Sequence, residues 1–107
     1  MAWTWLILAG LCEIAWAYGL KLSQGFTRFW PSVWTVVVML LSFALLARAM
    51  QSLPLGTAYA VWTGIGAIGT AIIGMALLHE PTHAPRLLCI ALIVVGIAGL
   101  KWWSPAN

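Results

Sequence analysis

The sequence has very little charge. Only 7% of its 107 residues are Asp, Glu, Lys or Arg, and 64% are hydrophobic, whereas a soluble domain usually carries about 25% charged residues. Too few polar side chains are present to cover a globule, which excludes a soluble protein. The length predicts one membrane domain over residues 1–107. The five basic residues do not cluster, so the basic face that nucleic-acid binding requires is missing as well.

Cysteine is also scarce. Cys12 and Cys89 lie in separate apolar runs, which is typical of buried thiols and does not indicate a disulfide framework. A signal peptide is not indicated either. The N-terminal run ends in an A-x-A pattern at Ala15–Ala17, but it lacks a basic start and contains Glu13, so we interpret it as a retained span.

Long apolar runs are what the sequence does have. A helix that crosses a bilayer needs about 20 apolar residues, and four such runs occur, at about residues 3–20, 30–50, 57–78 and 85–103. Glycine and proline punctuate the joints between them. The predicted fold is an all-α integral membrane protein with four transmembrane helices. Most tryptophans lie near span ends, as in an aromatic belt, but Trp16 and Trp62 do not.

The segment from His79 to His83, "HEPTH", matches the H-E-x-x-H spacing of zinc proteases. That motif needs a helix, and Pro81 in its third position disfavours one. A catalytic zinc also needs a third ligand, and the only other carboxylate, Glu13, belongs to another span. We therefore predict a turn at the membrane surface, with no metal, no cofactor and no enzymatic activity.

Glu13 requires an explanation. It lies about ten residues into the first span, roughly 15 Å deep at 1.5 Å per residue, where a charged carboxylate costs about 2.5–3.5 kcal/mol. Ala9, Gly10, Trp16 and Ala17 share its helix face. Such a residue indicates function, although a protonated glutamate that only links helices is the alternative.

Donors and aromatic rings occur in the other spans. Ser42, Tyr59 and Trp62, together with Trp16, can serve one buried carboxylate, although a serine hydroxyl can also bond to its own helix. Burial favours the protonated carboxyl, and an arriving cation displaces the proton. Aromatic faces stabilise a cation, and the planar fork of a guanidinium matches a carboxylate. Proton and cation then compete for Glu13, which is the minimum requirement for antiport.

One glutamate on four short helices barely encloses a cavity, which favours a dimer. The joints on one side of the membrane hold Lys21, Arg28 and Arg86, and the opposite side holds Arg48 and Lys101. This distribution has almost no positive-inside bias. It permits two copies in opposite orientations, which together form an inverted repeat of the kind that underlies alternating access.

Glycines are concentrated in the third span. Gly64, Gly66 and Gly69 weaken a helix by about 1 kcal/mol each relative to alanine, and with Gly10 of the first span they offer close-packing surfaces. We predict that they serve as a hinge or as packing positions.

Several segments carry a family resemblance. "CEIAWAYGLKLSQGFTR", "LPLGTAYAVWTGIGAIGTAIIG" and the "HEP" turn resemble the small multidrug resistance family, and within it the guanidinium-exporter branch. The resemblance covers the whole chain. It implies an antiparallel homodimer that exchanges protons for a small organic cation across the bacterial inner membrane.

The resemblance also implies residue roles. Glu13 would be the shared proton and substrate site, with Ser42 and Trp62 hydrogen-bonded to its carboxylate. Trp16 would lie beside it, and Tyr59 would line the pocket.

Three functions remain open on this basis. The favoured one is proton-coupled export of guanidinium and small substituted guanidinium ions. The second is broader export of hydrophobic and quaternary ammonium cations, for which the apolar Met39 and Phe43 would admit a substituent through a gap between helices. The third is a membrane scaffold or accessory subunit that transports nothing.

Overall fold

The computed structural model describes residues 2–103, which form four α-helices. Their bounds are α1 Ala2–Leu22, α2 Phe29–Ala49, α3 Leu55–Leu77 and α4 Ala84–Trp103. Each helix is long and apolar enough to cross a membrane. The predicted all-α architecture with four spanning helices is confirmed, and the helix ends lie within two residues of the predicted span ends.

Proline and serine set the helix boundaries. Pro31 and Pro85 lie in the first turns of α2 and α4, and Pro54 directly precedes α3. Proline is tolerated there because the first backbone N–H groups of a helix have no intrahelical partner. After α1, Ser23 Oγ donates to Leu20 O at 2.7 Å and accepts from Phe26 N at 3.1 Å, so its hydroxyl closes the turn.

The end of α3 explains the H-E-x-x-H segment. Leu78 N and Glu80 N both donate to Gly74 O, at 3.0 and 3.1 Å, and His79 adopts a left-handed φ of 58°. This is the usual way in which a helix terminates with its last carbonyls satisfied. The segment is therefore a non-helical joint, and its two histidines do not share a helix face.

α1 is the central helix. It packs along both α2 and α3, whereas α4 packs along α3 and the α2–α3 contact is the least extensive of the four. The buried core is made of small and apolar residues from α1, α2 and α3, among them Leu6, Ala9, Ala49, Ala58 and Val61. No residue of α4, which is described in full, is buried. The described chain is a slab of 43 × 34 × 16 Å.

The glycines predicted to serve packing lie at close helix contacts. A Cβ on Gly10 would lie 2.7 Å from Ile65 Cγ2 of α3, and one on Gly64 would lie 2.7 Å from Ile97 Cδ1 of α4. A Cβ on Gly69 would overlap Ile14. Small residues thus let the helix backbones approach. Their role as a hinge stays a prediction.

Candidate functional site

The carboxyl group of Glu13 lies between α1 and α3. It rests directly against Gly66, so closely that a Cβ on Gly66 would overlap it. The side chain is half-buried, and its Oε1 is buried without a hydrogen-bond partner within residues 2–103. An unpaired buried oxygen costs about 1–3 kcal/mol. No other described side chain or backbone group therefore competes for this acceptor oxygen.

Trp16 supplies a complementary group. Its indole Nε1 is the second buried side-chain polar atom without a partner among the described residues. Because Trp16 follows Glu13 by three positions on α1, the two side chains share one helix face. A free donor and a free acceptor are thus presented together, which is what a polar ligand requires.

Ser42 and Trp62 connect the three core helices. Trp62 Nε1 of α3 donates to Ser42 Oγ of α2 at 2.9 Å, and Ser42 Oγ donates to Ala9 O of α1 at 2.8 Å. The side chains of Ser42 and Trp62 are buried. Ala9 O is the carbonyl four residues before Glu13, the helical acceptor for the Glu13 backbone N–H. The network thus holds α1 one turn from the carboxyl.

This network differs from the expected one. Ser42 and Trp62 were expected to hydrogen-bond the carboxylate, but in this structure they bond to Ala9 and to each other. The physical reason is that a serine hydroxyl can donate to a backbone carbonyl on the adjacent helix while it accepts from an indole. Contact between these two side chains and the carboxylate stays a prediction.

Aromatic side chains extend from Trp62 towards the α2–α3 boundary. The Tyr59 ring lies 5.6 Å from the Trp62 ring at 49°, and the Phe43 ring lies 5.7 Å from it at 61°. Trp62 is buried, whereas Tyr59 and Phe43 are 54% and 45% exposed. Met39, one turn before Phe43 on α2, is half-buried. The three rings present aromatic faces and edges beside the least extensive helix contact.

A cavity lies one turn beyond Glu13. It has a volume of about 520 Å³ and is bounded by the C-terminal halves of α1 and α3 and by the joint before α4. Ala17 and Thr70 line its inner end, and Glu80 and Arg86 line its outer end. These last two form an ion pair, with Arg86 Nη2 2.9 Å from Glu80 Oε1.

Sequence reasoning missed this ion pair. Its signal was present as two opposite charges six positions apart across the joint. The spacing alone does not predict the pair, because residues 78–83 are not helical and only the fold of the joint brings the two side chains together.

Comparison with known proteins gives consistent matches. A family model described as Small Multidrug Resistance protein matches residues 1–93, which include α1, α2, α3 and the first half of α4. The guanidinium exporter of Escherichia coli (strain K12) is 60% identical over 101 residues, or 94% of this chain and 96% of the relative.

Two further relatives bear the same name. The guanidinium exporter of Yersinia pseudotuberculosis serotype I (strain IP32953) is 59% identical over 101 residues, with 94% of this chain and 97% of the relative covered. The guanidinium exporter of Citrobacter freundii is 56% identical over 101 residues, with 94% and 96% covered.

Proposed function

The chain belongs to the small multidrug resistance family, and we propose that it is a proton-coupled antiporter that exports guanidinium and small substituted guanidinium cations. Its relatives are named for export of guanidinium and not for an enzymatic reaction. The observation that carries the proposal is that Glu13 Oε1 and Trp16 Nε1, two buried polar atoms without a partner among the described residues, belong to side chains on one face of α1.

Glu13 is the proposed shared site for proton and substrate. In the empty site, burial disfavours the charged carboxylate, so the carboxyl is held neutral by a proton. A guanidinium that reaches the site donates two parallel N–H bonds to the ionised carboxylate. The proton must leave before these bonds form, so occupancy by one ion excludes the other.

Aromatic and polar groups complete the proposed pocket. Trp16, Tyr59 and Trp62 offer ring faces to a planar cation. Ser42 keeps α1 in position through its hydrogen bond to Ala9 O, and Ala9 lies one helical turn before Glu13 on α1. A rearrangement that turns Ser42 Oγ or Trp62 Nε1 from the present partner to the carboxylate would orient it for the substrate.

A second copy of the chain completes the proposed transporter. The described chain is only 16 Å thick, so a single copy cannot enclose the Glu13 carboxyl between α1 and α3 on all sides. α4 also buries none of its residues. Two copies in opposite orientations would enclose two Glu13 side chains and supply inverted repeats for alternating access. We place this multi-pass homodimer, one domain of residues 1–107 per chain, in the bacterial inner membrane.

The test is exchange in proteoliposomes. A proton gradient should drive guanidinium uptake by the wild-type protein, and Glu13→Gln should abolish it because an amide exchanges no proton and carries no charge. Glu13→Asp keeps the carboxylate and should retain measurable uptake. Wild-type uptake that survives in Glu13→Gln would exclude Glu13 as the shared site, and absence of uptake in every protein would favour a scaffold.

A second candidate is broader export of hydrophobic cations. It is favoured by the exposed rings of Tyr59 and Phe43 beside the short α2–α3 contact, where Met39 and Phe43 form a candidate portal for a substituent. Competition between guanidinium, phenylguanidinium and tetraphenylphosphonium distinguishes the two. Preference for the quaternary cation would support the broader exporter.

A further inference from the structure

Glu80 and Arg86 form a pair that proton exchange at Glu13 does not use. Arg86 Nη2 donates to Glu80 Oε1 at 2.9 Å, and the two side chains are 32% and 39% exposed. The pair lies at the outer end of the 520 Å³ cavity rather than on a fully solvated surface. The guanidinium group of Arg86 is thus bound to the carboxylate of Glu80, at a position separate from Glu13.

The backbone, and not Arg86, positions Glu80. Its N–H donates to Gly74 O at 3.1 Å, and its carboxylate folds back over Gly74, where a Cβ would overlap it. Gly74 is buried in α3. Arg86, by contrast, reaches the carboxylate from the first turn of α4 on a long side chain with many rotamers. Arg86 is therefore the exchangeable member of the pair.

The cavity connects this pair with the neighbourhood of Glu13. Ala17 and Thr70 line its inner end, and each lies four residues, about 6 Å along its helix, from Glu13 and Gly66 respectively. A volume of about 520 Å³ accommodates a four-atom cation with several waters, since one water takes about 30 Å³ in the liquid.

We propose that Glu80 is an outer binding site for guanidinium cations, at the mouth of the cavity that leads to Glu13. The side chain of Arg86 occupies this site until a free guanidinium displaces it. Both ions present planar N–H donors to the carboxylate, so a bound guanidinium replaces the hydrogen bond that Arg86 Nη2 donates. The role on a transport route rests on the proposed function, but binding at Glu80 does not.

Charge in the cavity makes the site weak and selective. The charged residues that line the cavity are Lys21, Arg86 and Glu80. Two of them are cationic and one is anionic, so the lining has a net positive charge. A cation must therefore replace Arg86 rather than add to it. Neither sodium nor a quaternary ammonium carries an N–H donor, so neither can replace the hydrogen bond that Arg86 donates to Glu80. Guanidinium is a cation and carries planar N–H donors, so it can replace the Arg86 side chain at Glu80.

The chain offers a single-signal test. Its only acidic residues are Glu13 and Glu80, so the Glu13→Gln protein labelled with ¹³C at the glutamate side-chain carboxyl has one labelled residue, Glu80. In detergent micelles, guanidinium chloride should shift this signal saturably, whereas sodium chloride at equal ionic strength should not. Adding Arg86→Gln should lower the guanidinium concentration at half-saturation by about 1.5- to fivefold, the range expected for loss of an exposed ion pair.

Arg48→Gln is the matched control. Arg48 lies at the other end of the molecule, over the Trp5 ring at 5.1 Å, so its removal changes the net charge equally but should leave the midpoint unchanged. If the Glu13→Gln protein does not fold, the wild-type protein shows two signals, and the Glu80 signal is the one that Glu80→Gln removes.

The proposal is overturned if the Glu80 signal does not respond to guanidinium, if sodium shifts it equally, or if Arg86→Gln leaves the midpoint unchanged. Its failure is separable from that of the proposed function. Loss of proton-driven uptake in the wild-type protein would remove the exporter assignment without altering the Glu80 titration, and the converse also holds.

Discussion

The carboxyl group of Glu13 occupies the place that a side chain at Gly66 would fill. Residue 66 must therefore be glycine for the carboxyl to lie between α1 and α3. This contact links the only acidic residue within a predicted span to the glycine-rich segment of α3. It also ties the position of the carboxyl to the α1–α3 seam.

Substitution Gly66→Ala should therefore displace the Glu13 carboxyl. We expect guanidinium uptake to fall at least about tenfold, because a displacement of about 1 Å at a functional group can reduce a rate about a hundredfold. Uptake in proteoliposomes measures the effect. Gly56→Ala is the matched control, since a Cβ at that exposed position would meet no described residue within 4 Å apart from its chain neighbours and the backbone of its own helix. Equal uptake by the two variants would contradict the inferred role of Gly66.

Binding of guanidinium should weaken as the pH falls. Below the titration midpoint of Glu13, each decrease of one pH unit should raise the apparent Kd for guanidinium about tenfold. The reason is that protonation and cation binding exclude each other and follow mass action. The apparent Kd rises as the pH falls because a proton bound to Glu13 stabilises the site that holds no cation. Calorimetric titration of the wild-type protein across pH measures it. A pH-independent Kd would show that proton and cation occupy different groups.

The Trp62–Ser42–Ala9 network should stabilise the fold. Ser42→Ala leaves the buried N–H of Trp62 without its acceptor, at about 1–3 kcal/mol. Trp62→Phe removes the donor and lets Ser42 keep its hydrogen bond to Ala9 O. The loss of hydrogen bonding should therefore lower the free energy of unfolding less in Trp62→Phe than in Ser42→Ala. The double variant should lose less than the sum of the two, by about 1 kcal/mol.

Unfolding in mixed micelles measures these free energies. Ser32→Ala is the control, because the Ser32 hydroxyl donates locally to Arg28 O, four residues earlier at the start of α2, at 2.5 Å and should contribute little. Strict additivity of the Ser42 and Trp62 substitutions would show that their hydrogen bond contributes nothing measurable to stability.

His79→Gly should raise stability. His79 holds a φ of 58° at the end of α3, a conformation that costs an L-residue roughly 1–2 kcal/mol and that glycine adopts freely. We expect a gain of about 1 kcal/mol, read as a higher Tm in detergent. His83→Gly is the comparison, since His83 does not have a positive φ. A gain in His83→Gly as large as that in His79→Gly would indicate a cause other than backbone strain.

Helix positions were predictable from the sequence because they depend on local properties. A run of about 20 apolar residues has few stable conformations in lipid other than a helix that satisfies its own backbone. Pro31, Pro54 and Pro85 mark the beginnings of helices for a steric reason that acts over one turn. The same local argument placed the H-E-x-x-H segment in a joint.

The candidate site was predictable only in part. Glu13 could be singled out because a carboxylate in a span is costly wherever its helix packs. The partners of Ser42 could not be predicted, because Ser42 has a choice between its own helix, Ala9 O and the carboxylate, and helix packing decides among them. The ion pair of Glu80 and Arg86 depends likewise on how the joint folds back over Gly74.

By itself, therefore, the sequence determined that the chain forms four helices long and apolar enough to cross a membrane, and that one of them contains a carboxyl group midway along its length. Burial free energy and backbone sterics act along the chain, so residue order is sufficient for both conclusions. The tertiary structure alone decided that Gly66 accommodates that carboxyl, that Trp62 bonds to Ser42, and that Glu80 binds Arg86 within a cavity. These contacts join helices distant in the chain, and they exist only where packing brings the atoms within hydrogen-bonding or van der Waals distance.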